Sequence, residues 1–161
     1  MLERLRHFMS EIGLAEAEPR HFDENDYRLA AAALLVHIVS IDGKASAAEL
    51  TMLHRLLELR FELDAAATDD LIAAATRAEG EAVDLYHFTN LLMRSLNEEG
   101  RARIVEMMWE LVYADGAATE FEESVIWRAA DLLGISANER IALKHRAAAG
   151  RLAPDATNDV Q

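Results

Sequence analysis

Acidic side chains at two repeated loops are the residues of this sequence best placed to do chemistry. In "SIDGKASAAEL" (Ser40–Leu50), Asp42 and Gly43 precede Glu49, and "YADGAATEFEE" (Tyr113–Glu123) repeats the arrangement with Asp115, Gly116 and Glu122. Asp-Gly, five residues and then Glu form the second half of an EF-hand calcium loop. There an acid stands at position five, glycine at six and a bidentate glutamate at twelve. The first half is missing. Position one would be Ile38 or Leu111 and position three Ser40 or Tyr113, so half of the ligand set is absent. One loop alone offers two carboxylates, a hydroxyl and a backbone carbonyl, against the six to eight oxygens that calcium takes. Two loops brought together can pool Asp42, Glu49, Asp115 and Glu122 around one or two ions. Calcium or magnesium is the favoured cation, because every candidate ligand is a hard oxygen and the chain has no cysteine.

The same residues also have ordinary structural work. Ser46-x-x-Glu49 and Thr119-x-x-Glu122 are capping boxes, in which hydroxyl and carboxylate satisfy free N–H groups at a helix start. Gly43 and Gly116 suit a turn with positive φ, and the aspartates can bond back to the loop backbone. Arg55 and Arg128, at equivalent positions, offer the acids a guanidinium partner that needs no metal. Capping alone and capping with cation binding both remain open at this level.

The elements that must position these loops are helices. The two loops lie at an offset of 73 residues, 42 to 115, which also pairs Ser46 with Thr119, Arg55 with Arg128 and Leu59 with Leu132. An apolar helical segment precedes and follows each loop, so the chain reads as an internal duplication of helix-loop-helix units. Seven glycines and two prolines in 161 residues, at 52% hydrophobic, favour helix over sheet and one domain over two. The sequence therefore predicts an all-α, single-domain bundle of about seven to eight helices with a pseudo-two-fold.

Along the chain, residues 1–13 predict an amphipathic arm with Leu2, Leu5, Phe8, Met9 and Ile12 on one side, followed by a polar linker at 14–23. The body at 24–149 opens with a helix to about Ser40 that is apolar nearly all round. A second helix is expected from Ser46 to about Arg60, and a third, capped by Asp64, to near Glu79. Asp84 is expected to cap a fourth and Asn97 to start a fifth, in which Ile104, Met107, Met108 and Leu111 share a face. Thr119 starts a sixth, ending at Gly134, and Ser136 with Glu139 opens the last through a capping box. Residues 150–161 are expected to be a polar, disordered tail.

Charge and composition exclude several functions. A formal charge of −13 opposes binding to nucleic acid and suits cations or basic proteins. The six histidines form no H-E-x-x-H pair, and His37 and His54, on the apolar helices flanking the first loop, are expected as core residues with one hydrogen bond each. Met107, Met108, Trp109 and Trp127 are spaced as core. There is no phosphate loop, nucleophile elbow or cysteine nucleophile, so no enzyme is expected. The longest apolar run, Leu29 to Ile41, is interrupted by His37 and too short to span a bilayer. A cytoplasmic protein with protein partners is expected, and a homo-oligomer is compatible with the sequence.

The twin loops, with the blocks "LAAAALLVHIVSIDG", "AVDLYHFTNLLMRSLNEEGR" and "IVEMMWELVYADG", resemble the TerB-like family, in particular a stand-alone bacterial subgroup, over about Asp23 to Ala149. The family is named for tellurite-resistance proteins and also forms the N-terminal part of a membrane-anchored DnaJ-like co-chaperone. The resemblance implies an all-helical, pseudo-symmetric fold, a role in stress-linked complexes near the membrane, and Asp42, Glu49, Asp115 and Glu122 as cation ligands. The His-Pro-Asp signature of a J domain is missing, so co-chaperone activity does not carry over. The alternative expectation is a metal-free helical adaptor whose acids are only caps and salt bridges.

Overall fold

The computed structural model describes residues 22–160 apart from Asp42 and Lys44, with the side chains of Asp115 and of residues 150–160 outside the description. The expected arm at 1–13, most of the linker and the candidate ligand Asp42 therefore lie outside the described residues. What is described is all-helical. Seven α-helices and one 3-10 turn follow one another, with no strand among the described residues.

The first helix, α1 (Tyr27–Ser40), begins at Asp26, whose carboxylate accepts from the Arg28 N–H at 2.9 Å and holds the Arg28 guanidinium at 2.7 Å. Leu29 through Val36, with Ile38 and Val39, are buried, so α1 presents apolar side chains in every direction. It is the centre of the bundle. Two more helices follow, α2 (Ala47–Phe61) and α3 (Ala65–Glu81). Asp64 caps α3 by accepting from Ala67 N–H at 2.7 Å. The next, α4 (Tyr86–Ser95), has Leu85 at its cap position, and Asp84 acts from one residue further out, accepting from Tyr86 N–H at 2.9 Å.

Asn97 caps α5 (Glu98–Val112) through Gly100 N–H at 2.9 Å, and α5 runs into the 3-10 turn Tyr113–Asp115. Ile104, Met107, Met108 and Leu111 are all buried on the face that the sequence assigned to the core. The sixth helix, α6 (Glu120–Leu132), leaves through Gly134 at φ +75°, a conformation that favours glycine. The last, α7 (Ala137–Val160), continues past Gly150, where composition alone placed a disordered tail. The alanines of "HRAAAGRLA" carry helix propensity across that point. At its start only the hydroxyl half of the expected box is made, Glu139 N–H donating to Ser136 Oγ at 3.2 Å.

The duplication is visible in the packing. α1 and α5, the first helices of the two units, touch each other's second helices: α1 packs on α6, and α5 on α2. The turns match as well. Gly43 N–H donates to Ser40 O at 3.0 Å and Gly116 N–H to Tyr113 O at 3.2 Å, at the same offset. Both glycines have positive φ, +75° and +116°.

Candidate functional site

Each loop delivers one glutamate to the interior. Glu49 stands at the third position of α2 and Glu122 at the third position of α6, and both complete reciprocal capping boxes. Glu49 N–H donates to Ser46 Oγ at 3.0 Å, while Ser46 N–H donates to Glu49 Oε1 at 3.1 Å. In the second loop the distances are 3.1 Å from Glu122 N–H to Thr119 Oγ1 and 2.8 Å from Thr119 N–H to Glu122 Oε1.

Capping glutamates are ordinarily solvated, and these two are not. Each is 4% exposed, and they are the only buried acids among the described residues. The cause lies in the helical stripe that each one heads. Glu49 is followed at i+4, i+7 and i+8 by buried Leu53, Leu56 and Leu57, and Glu122 by buried Ile126, Ala129 and Ala130. The heads of the two stripes come close enough for the Glu49 carboxyl to act on that of Glu122. A second carboxyl beside a buried one adds to the cost of charging it. Burial above all, reinforced by the neighbouring Glu49, pushes the Glu122 carboxyl up to about 7, although the Thr119 amide favours its charged form.

One oxygen of each carboxylate is committed to an N-cap amide, which leaves the other for the contact. This arrangement can hold a shared proton near neutral pH, or exchange it for a cation. The donor set fits a cation in part. Two buried carboxylates supply charge and hard oxygens, while among the described residues no three histidine, cysteine, aspartate or glutamate side chains gather as a metal group. Asp42, and the side chain of Asp115, lie outside that description.

Other sequence expectations are placed elsewhere. Arg55 and Arg128 are exposed, and neither forms an ion pair among the described residues, so they do not neutralise Glu49 or Glu122. His37 keeps one bond but is half-buried rather than core, and His54, also half-buried, has two partners. His37 Nδ1 meets Glu79 at 3.0 Å, linking α1 to α3 at the half-buried edge of the bundle. His54 lies between Glu58 at 2.6 Å and Asp69 at 2.9 Å, on the seam of α2 and α3. Their period put them on apolar helices, but the surplus of acids on α2 and α3 draws both imidazoles outward.

The sequence offered a meeting of the two loops only as the condition for pooling four acids around an ion, and did not single out Glu49 and Glu122 as the residues that come together. The available signal was their position at the head of each buried stripe, which polarity alone conceals.

Among the described residues no helix is long and apolar enough to cross a membrane. The comparison with curated proteins and that with solved structures gave no match. A family model described as "Tellurite resistance protein TerB" matches residues 28–145, which takes in both loops, both capping boxes and the glutamate pair. An all-α fold duplicated about two Asp-Gly loops agrees with that match over most of its length, and the chain belongs to the TerB family.

Proposed function

We propose that this TerB domain is a non-catalytic, cation-responsive module: the glutamate pair at the junction of its two repeats exchanges a shared proton for a divalent cation, and the occupied state favours association with protein partners in tellurite-linked or other stress-response complexes. The observation that carries this reading is the burial of one glutamate from each loop, with Glu49 near enough to push up the Glu122 carboxyl. A bare pair of charges there is costly, so the site gains when a cation arrives. Asp42 and Asp115, at the loop starts, are the further ligands that would bring the oxygens toward the number calcium or magnesium needs. The surplus of 29 acids over 16 basic residues raises the local cation concentration around the molecule.

A second reading has a specific observation in its favour. Both capping boxes are complete without any metal, so the glutamates already have structural work in a metal-free adaptor. Thermal denaturation of chelator-stripped protein separates the two. A ligand that binds only the folded state raises the melting temperature with the logarithm of its excess over Kd. The cation reading expects a saturable rise with calcium or magnesium that is larger at about pH 8 than at about pH 5.5, because protons compete for the same oxygens. It also expects the rise to disappear in Asp42→Asn/Asp115→Asn. Flat titrations with calcium, magnesium, manganese and zinc, beyond what monovalent salt gives by screening, leave the metal-free adaptor.

A further inference from the structure

Met93 near the end of α4, Arg101 near the start of α5 and Gly134 just past α6 close on one another. The Arg101 guanidinium holds the Leu133 carbonyl at 3.0 Å and the Asn97 carbonyl at 3.3 Å, so a side chain of α5 caps the exit of α6. Its third partner is a thioether. Nη1 lies 2.7 Å from Met93 Sδ, in a solvent-exposed contact. Gly134 makes room for the same group, since a Cβ there would stand 3.2 Å from Nη1 and 3.9 Å from Met93 Sδ. All three acceptors around this guanidinium are neutral, and the sulfur is the weakest of them, although the chain carries 29 acids.

Met93 is also the methionine that oxidants reach most easily among the described residues. It is 42% exposed, whereas Met107 and Met108 are 1% and 0% exposed and Met52 is half-buried. Oxidation of a thioether follows access. With hydrogen peroxide the sulfur lone pair attacks one peroxide oxygen, and the S–O bond forms as the O–O bond breaks. The departing hydroxide takes the hydrogen left on the transferred oxygen, giving methionine sulfoxide and water. Sulfur loses two electrons and the peroxide gains them.

The product changes the contact. A sulfoxide oxygen is polar and carries partial negative charge, so it accepts from a guanidinium far better than a thioether does. The added oxygen takes the place of the sulfur at Nη1, whose second N–H stays on Leu133. An exposed methionine by itself is only open to damage, but here a cation already lies where the new oxygen would accept.

We infer that Met93 is a reversible oxidation site for peroxide, and that its sulfoxide tightens the α4–α5–α6 junction through Arg101. A sulfoxide reductase reverses the step, with two thiols joining as a disulfide and the oxygen leaving as water. The inference goes beyond the proposed function and depends on neither a cation nor a partner.

The full-length protein is treated with hydrogen peroxide and followed by peptide mass mapping and amide hydrogen exchange. Met93 should gain one oxygen before Met52, with Met107 and Met108 still reduced. The amides of Gly134 and Ile135, which donate to Asp131 and Ala130 at 3.0 Å each, report on the exit of α6. Their exchange should slow by about threefold or more on oxidation, as expected for a hydrogen bond to a charged group gained at that end. It should recover after treatment with sulfoxide reductase and dithiothreitol. Met93→Gln places an amide oxygen at similar reach and should slow the same amides without peroxide. Met93→Leu keeps every other methionine and should show no response to peroxide. In Arg101→Gln the sulfur should still oxidise, but the exchange should not slow.

The inference is overturned if Met52 oxidises as fast as Met93, or if oxidation leaves exchange at the α6 exit unchanged or speeds it. It is also overturned if Met93→Leu or Arg101→Gln keeps the wild-type response. Oxidation of Met107 or Met108 ahead of Met93 overturns it as well, because those sulfurs are reached only when the bundle opens.

Discussion

Glu122→Gln should make the protein more stable at alkaline pH and leave it nearly unchanged in mild acid. In the wild type the Glu122 carboxyl is pushed from an ordinary 4.5 up to about 7, first by burial and then by its contact with Glu49. Because the folded value lies above the unfolded one, the folded state holds the extra proton between about pH 4.5 and 7. Stability therefore falls as pH rises through that window and levels off above it. One pKa unit corresponds to about 1.4 kcal/mol, so the window from 4.5 to about 7 amounts to roughly 3.5 kcal/mol as an upper figure. Glutamine keeps an oxygen for the Thr119 amide, preserving the capping box, and can turn its own N–H toward Glu49. The variant has no proton to lose there.

Urea denaturation of wild type and variant from about pH 5 to about pH 8 gives the difference directly, since the other carboxylates cancel in the comparison. The two should lie within about 0.5 kcal/mol at the acid end and diverge to roughly 2 kcal/mol in favour of the variant at the alkaline end. For a chain of this size that is about 4–8 °C in melting temperature. Parallel curves across the range, or a variant less stable than wild type at about pH 8, would refute the buried shared-proton pair.

Four further outcomes follow from the same geometry. Ser46→Ala and Thr119→Ala should each cost about 1 kcal/mol in denaturant titrations, whether or not metal is present, because each removes the hydroxyl acceptor of a capping box. Gly116→Ala, at φ +116°, and Gly43→Ala, at φ +75°, should each lower stability by roughly 1 kcal/mol or more, with Gly116 the more sensitive. A fully buried Leu57, packed behind Glu49 in the α2 stripe, should cost about 2–5 kcal/mol as Leu57→Ala, measured by urea unfolding. Glu49→Gln should reduce the pH dependence of stability by less than Glu122→Gln does, because burial of Glu122 remains, and no change in slope would place the coupling elsewhere.

Most helix starts were legible because local rules governed them: Ser46, Asp64, Asn97 and Thr119 all stand at N-caps, while the first helix starts behind Asp26, two residues after the expected opening. The duplication was legible too, since a fixed offset needs no tertiary information. The glutamate pair was only half legible. Sequence named both residues and gave them two roles, but their meeting depends on where the pseudo-two-fold lies, which no local pattern encodes. Polarity also misled for His37 and His54, whose helical period suggested core and whose acidic neighbours on adjacent helices, Glu79 and Asp69, were unknowable before the helices packed. Arg55 and Arg128 had been matched to the loop acids by equivalence alone. Exposure of both separates equivalent position from shared partner.

The alanine run of α1 sets the time scale on which the first loop can be disturbed. Ala30 is 2% exposed and Ala31, Ala32 and Ala33 are 0%, a full helical turn with no solvent face. Such a turn has no side from which water can enter without parting α1 from its neighbours, so its amides should exchange hydrogen only when the whole bundle opens. Fraying that begins at the loop is therefore arrested within the next turns of α1, and the backbone ahead of Gly43 is anchored to the slowest-opening part of the molecule.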